Sequence, residues 1–428
     1  MIKKTCRPAN RKRHRQRHCF HWRTKAIQRL CPYKAKLFCC RLKRFLHLKA
    51  KFLLSLLLLL ALITISGCWD AKDLEKRAMV VAIGVDKGKK YPLKVTIEIP
   101  FPKNLGNGSG SSQSQGGGKP FKVISTEANS LAQALVDLQW KAEQSLFFGD
   151  VRVLIVSEPL VKKPAPSLFD SFFRLAVIRK NQIWPLIIKN ETAEKLLKTF
   201  EPPEEQVPKI YLREMITSDE QIQYIPSNTF ANVQMDRINS AKEPFMLAIK
   251  QINDSDVKIV GLGTFTGGRR THLAGFLNIY DMAQWQRAAL GQNAGEMFIP
   301  MGKGKQMTLQ PSKVKRKHHI SFRGHQIKDT IDVYVDGEVI ETTPKINLVN
   351  NKNRYNAEKR VEYVMEKRSD KMVHKLQTFN SDILGIRTLV RSYYPSMYNK
   401  IDWKTAFKQA DITVKYHVSI KRVGMETS

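Results

Sequence analysis

The most strongly apolar stretch is FLLSLLLLLALITI, Phe52 to Ile65, fourteen residues directly behind Lys49-Ala50-Lys51. As a helix it would span about 21 Å, short of the roughly 30 Å hydrocarbon core of a bilayer. That length fits the apolar region of an export signal. The small residues Ser66 and Gly67 then leave uncrowded backbone for a peptidase just before Cys68.

Beyond Cys68 the pattern changes to short alternating and helical runs. Met79 to Asp86 and Leu93 to Ile99 alternate around Lys87-Gly88-Lys89-Lys90, which predicts a β-hairpin. Asn104 to Lys119 has the composition of a flexible Gly/Ser loop. Leu131, Ala134, Leu135, Leu138 and Ala142 fall at helical spacing within 130–144, and Val151 to Val156 reads as a buried strand. Helices over about 165–178 and 191–199 flank a strand at 183–188. Three prolines in 201–208 (EPPEEQVP) predict a domain linker.

Past the linker, strands at 257–265 and 271–278 flank a Gly267-Gly268 turn, followed by a helix over 282–290. Strands are expected at 297–301, 306–310, 314–322 and 330–342. A long helix over 356–379 carries Val361, Val364, Met365, Met372, Leu376 and Phe379 on one stripe, wide enough to cover a sheet. A period of two over 410–420 marks a last strand. The fold class is therefore α+β, with mixed sheets flanked by helices. Its expected domains are a removed leader and signal (1–67), an N-terminal α/β domain (68–200), a linker and middle domain (201–310), and a C-terminal α/β domain (311–428).

Charge sharpens the partition. The chain has a formal net charge of +34, yet residues 1–51 hold 18 of its 72 Lys and Arg and no acid. Without that segment 54 basic residues face 38 acidic ones, a net charge of +16. A basic surface on an exported chain points to anionic lipid or acidic partner loops, not to nucleic acid. Five of the six cysteines also precede the apolar run, so the mature chain keeps Cys68 alone. A lone cysteine makes neither an internal disulfide nor a cysteine zinc site.

Catalytic patterns are missing: the chain has no Gly-x-Ser-x-Gly elbow, His-Glu-x-x-His helix or Gly-Lys-Ser/Thr phosphate loop. Gly261-x-Gly263 sits inside a strand and reads as close packing. His318 and His319 are strand neighbours pointing to opposite faces, which is unsuited to a shared metal. Lys313 to Lys317 reads as a solvated strand edge, and Asp382 as a helix cap or packing residue. No enzyme activity, metal or cofactor is expected.

Ile65-Ser66-Gly67-Cys68 resembles a bacterial lipobox. There the cysteine thiol receives diacylglycerol, cleavage falls between Gly67 and Cys68, and an N-acyl chain is added. More broadly, the chain resembles the Ger(x)C family, the C-subunit lipoproteins of spore germinant receptors. The likeness rests on Gly67-Cys68-Trp69-Asp70, Asp73-Leu74 and Val81-Ala82-Ile83-Gly84-Val85-Asp86-Lys87, like the family's GCWD, E-L and A-x-G-x-D-K blocks. It continues through Phe147 to Val151, where Asp150 replaces the family's His. Asp382-Ile383-Leu384-Gly385, Tyr394-Pro395, Asp402-Trp403 and the final strand from Val414 to Gly424 complete it.

The resemblance implies a three-domain lipoprotein at the outer face of the spore inner membrane, beside polytopic A-type and B-type subunits. It transfers no ligand-binding residue. The competing expectation is a solute-binding lipoprotein that captures the nutrient in an inter-domain cleft hinged at 201–208. A tethered hydrolase lacks a nucleophile or a carboxylate pair.

Overall fold

A computed structural model of the chain describes residues 49–57, 77–101, 120–164, 166–203, 207–239, 241–302, 304–343 and 346–423. The chain divides into two compact units, Met1–Asp73 and Leu74–Ser428. In the first unit residues 49–57 are helical. Among the described residues no helix is long and apolar enough to cross a membrane.

The second unit is built on two sheets. The larger has eight strands: β1 pairs elsewhere, while β2 (Ala82–Lys87), β3 (Leu93–Pro100), β4 (Phe121–Ala128), β6 (Val153–Ser157), β7 (Trp184–Ile188), β8 (Phe245–Gln251), β9 (Val257–Thr266) and β10 (His272–Asn278) run in the order β10-β9-β8-β7-β6-β2-β3-β4. β1 (Arg77–Met79) and β5 (Ser145–Phe147) form a small parallel pair. The centre of the large sheet, β2-β6-β7-β8, is parallel, and both flanks are antiparallel. β6 and β7 are buried at every position, as central parallel strands covered on both faces must be.

Strand periodicity sends alternate residues to two cores. Ile83, Val85, Leu154, Val156 and Ile187 pack with Leu131, Ala134 and Leu138 of α1 (Leu131–Gln139) and with Phe169 and Phe172 of α2 (Pro166–Arg174). Ala82, Val153, Ile155, Leu186 and Ile188 face the other way, onto Leu196 and Leu197 of α3 (Ala193–Thr199). This second core continues into the four-stranded sheet β11-β12-β13-β14 (Met297–Gly302, Lys305–Arg323, Gln326–Thr343, Asp411–Val423).

Elements that the patterning does not mark include helices α4 (Pro208–Gln221) and α5 (Phe230–Ile238), and strands β4 and β8. β8 carries Phe245 to Ile249 buried on both faces, so it has no alternation to read. Strands on both sides of the 201–208 proline segment share the eight-stranded sheet. Helix α6 (Ile279–Trp285) continues through a π-turn to Leu290.

The expected strands 306–310 and 314–322 are one 19-residue strand, β12, whose register shifts at Pro311/Lys313 and breaks the alternation there. The long helix α7 runs Asn351–Phe379, starting ahead of its apolar stripe because the Asn350 side chain accepts from the N–H groups of Lys352 and Asn353. Its Val361, Met365, Met372 and Leu376 join the same core as Val333, Val335, Tyr416 and Val418 of β13 and β14. The Gly/Ser loop, Asn104 to Lys119, lies outside the described residues.

Candidate functional site

Gly67 and Cys68, the expected cleavage and lipidation residues, lie outside the described residues. Trp69-Asp70 and Asp73-Leu74 lie outside them as well. Two of the family-like blocks that are described, around Asp86 and Asp382, dock helices. Asp86 is 2% exposed at the end of β2. Its Oδ1 accepts from Ala193 N and its Oδ2 from Glu194 N, each at 2.8 Å. Those amides belong to the first turn of α3, where helices leave N–H groups without internal partners. The next amide, Lys195 N, donates to Thr192 Oγ1 at 3.1 Å. Burial pushes the Asp86 carboxyl above its usual value, against these hydrogen bonds and one from Ser157. Two residues upstream, a Cβ on Gly84 would stand 2.8 Å from Leu197 Cδ1 and 3.0 Å from Ala193 Cβ. The Gly84-x-Asp86 pattern therefore seats α3 on the sheet: glycine permits the approach, and aspartate anchors the helix end.

Asp382 performs the same task for α8 (Ile386–Tyr393). Its Oδ1 accepts from Gly385 N at 2.9 Å and Ile386 N at 3.1 Å, and its Oδ2 from Arg387 N at 2.7 Å. Gly385 adopts φ +82°, the left-handed region open to glycine. Capping is thus the role of Asp382. The segment around it is pinned from two sides: Ser381 Oγ donates to Phe265 O at 2.6 Å, and Trp285 Nε1 donates to Ile383 O at 2.9 Å.

Beside this cap lies a cleft of about 460 Å³. Five segments line it: Glu243 ahead of β8, the Gly267-Gly268 turn between β9 and β10, Asn380 at the C-cap of α7, Arg387 on α8, and Trp403 in the loop that follows. Glu243 is 9% exposed. Burial pushes its carboxyl up to about 7; the Arg387 charge and the Gly268 N–H oppose the rise, while the Asp382 charge adds to it. Glu243 Oε2, Asn380 Oδ1 and Arg387 Nε are buried and have no hydrogen-bond partner. The Arg387 guanidinium lies over the Trp403 ring, 5.4 Å from its centroid. Trp403 Nε1 itself donates to Tyr398 O at 2.9 Å.

The weaker sequence candidates have structural roles. A Cβ on Gly261 would meet Leu277 O at 1.9 Å, and one on Gly263 would meet Ile187 Cδ1 at 2.4 Å, so both glycines serve close packing. His318 turns inward to Asp329, Nδ1 to Oδ2 2.7 Å, while the half-exposed His319 turns outward to Asp332, Nε2 to Oδ2 3.1 Å. Lys313, Lys315, Arg316 and Lys317 are exposed on the part of β12 beyond its pairing with β11. Asp150 pairs with Arg152 at 2.7 Å. Among the described residues no cluster of three His, Cys, Asp or Glu is arranged to hold a metal. Sequence reading missed Glu243, Asn380 and Arg387, which are isolated in the chain. Their only signal was proximity to marked positions, the Gly267-Gly268 turn and the Asp382 to Gly385 block.

Residues 70–251 match the spore germination protein N-terminal domain. Residues 261–424 match the family described as spore germination B3/GerAC like, C-terminal. Spore germination protein YndF of Bacillus subtilis (strain 168) is 24% identical over 393 residues, covering 85% of this chain and 95% of that protein. Spore germination protein KC of the same organism is 24% identical over 411 residues, covering 88% of this chain and 97% of that protein. The crystal structure of the GerBC protein superposes with a TM-score of 0.51 at 17% identity, over 78% of this chain and 96% of that one. With both family domains present in order and the GerBC fold shared, the chain belongs to the Ger(x)C family of spore germination proteins.

Proposed function

We propose that the chain is the non-enzymatic C subunit of a nutrient germinant receptor, tethered through lipid on Cys68 to the outer face of the spore inner membrane. Polytopic A-type and B-type subunits would be its partners. The observation that carries this reading is the pair of family domains spanning residues 70–424 with little interruption. The chemistry is consistent with it: the two most deeply placed motif carboxylates, Asp86 and Asp382, have their oxygens filled by helix amides. Each of these carboxylates thus has a structural task, holding the amides at the start of a helix.

Lipid at Cys68 contributes about 0.8 kcal/mol per buried methylene, and two or more chains give lasting attachment. Replacing the thiol tests the anchor directly. Cys68→Ala should move the protein from the membrane fraction to the soluble fraction and weaken the nutrient response of the spore. Full membrane retention together with an unchanged response would refute the anchoring role.

A further inference from the structure

Buried polar atoms without partners are costly, because each gave up water on folding and received no hydrogen bond in return. The cleft beside α8 concentrates three of them, from three separate segments: Glu243 Oε2, Asn380 Oδ1 and Arg387 Nε. Neighbouring groups cannot satisfy them. Asp382 is consumed by the α8 amides. Asp402, at the rim, accepts from Lys404 N at 3.1 Å and from Thr405 Oγ1 at 3.1 Å. The Asn380 amide nitrogen is held by Lys404 O at 3.0 Å, while its oxygen has no partner. Asn380 is itself fixed by its left-handed C-cap conformation, φ +53°.

Two acceptors and one cationic donor ask for a ligand with the complementary set. We propose that this cleft binds a small zwitterion, a free α-amino acid, with its ammonium group on Glu243 and Asn380 and its carboxylate on Arg387. The volume of about 460 Å³ lies within the roughly 300–1,000 Å³ of small-molecule sites. Trp403 beneath the guanidinium restricts the freedom of Arg387, which lowers the cost of ordering it on binding. The elevated Glu243 carboxyl adds a second signature. An arriving ammonium group favours the ionised carboxylate, so binding near neutral pH releases a proton. The other charged groups around it are Arg387 and Asp382 on the α8 side, Asp402 and Lys404 at the rim, and Arg270 and His272 in the turn beyond Gly268.

The cleft draws on both family domains, with Glu243 inside 70–251 and the remaining lining residues inside 261–424. Occupancy would therefore tie the two together. It lies away from the 201–208 segment, so it is not the hinged cleft expected from the prolines. The proposal stands or falls independently of lipid attachment.

Isothermal titration calorimetry on the full chain, extracted from membranes in non-ionic detergent, tests it. The probes are the twenty common α-amino acids, D-glucose as a neutral hydroxylated control, and the N-acetyl and amide forms of the best binder. At least one free amino acid should bind, and both capped forms should bind more weakly. Glu243→Gln should lower affinity by about tenfold to a hundredfold, the range for a hydrogen bond to a charged group. It should also abolish the rise in affinity from pH 6 to pH 8 and the proton release seen between buffers of different ionisation enthalpy. Asn380→Gly keeps the left-handed backbone, removes the acceptor, and supplies the same test should Glu243→Gln fail to fold. Silence from every amino acid in the millimolar range, binding of glucose alone, or binding unchanged in both folded variants would overturn the proposal and leave water as the cleft's only occupant.

Discussion

Asp86→Ala should destabilise the protein by about 2–4 kcal/mol, since it removes two short carboxylate bonds from the first turn of α3 in a setting 2% exposed. A hydrogen bond to a charged group is worth about 1.5–3 kcal/mol, and a buried amide left alone adds its own desolvation cost. Part of that gain is offset already, because burial holds the carboxyl above its ordinary value. The sign follows: ionisation of Asp86 is harder in the folded state, so this group's contribution declines as pH rises through its folded value. Asp86→Asn should cost nearly as much as alanine, because an amide offers one acceptor and turns an NH2 toward the second helix N–H. Gly84→Ala should cost about 1–3 kcal/mol by overpacking against Ala193 and Leu197. Its effect should be less than additive with Asp86→Ala, since both loosen the same helix. Urea unfolding at pH 7 followed by circular dichroism reads these changes as shifts in midpoint at constant slope. If Asp86→Ala fell within about 0.5 kcal/mol of the parent, the range of an ordinary surface substitution, the seating role of Asp86 would be wrong.

Two other residues carry measurable consequences. Arg287 is fully buried and donates to the carbonyls of Asn293, Ala294 and Gly295 at 2.8 to 3.0 Å, so Arg287→Met should cost about 3 kcal/mol or more by leaving three acceptors unmet; a thermal midpoint equal to the parent's would contradict this. The Glu243 carboxyl is raised from 4.5 to about 7 in the folded state, so its contribution is fully present below about pH 4.5 and is lost as pH rises through about 7. Between those limits the parent should lose up to about 3 kcal/mol that Glu243→Gln does not lose. Parallel urea titrations of the two proteins at pH 5 and pH 8 would reveal it, and identical pH slopes would count against the burial of Glu243.

Elements with a strong local period were legible in the chain itself. The β2–β3 hairpin, the Gly267-Gly268 turn and the stripe of α7 all depend on contacts close in sequence, where a period of 2 or 3.6 declares which face is buried. β8 was not legible. It is buried on both faces at the middle of the sheet, so its apolar run has no alternation, and its neighbour β7 lies more than fifty residues upstream. The start of α7 was also missed, because its first turn is polar and is set by the Asn350 cap rather than by the stripe.

The sequence alone carried the lipobox-like stretch ending in Cys68, the absence of familiar catalytic patterns, the α+β class and the family blocks. Each of these depends on composition or on neighbouring residues. Tertiary structure decided what those blocks do. That Gly84 and Asp86 serve a helix more than a hundred residues later depends on which surfaces pack together. The cleft was wholly its product: Glu243, Asn380, Arg387 and Trp403 come from segments up to 160 residues apart. No local pattern encodes their meeting, because only the shared core of the two sheets brings those segments to one place.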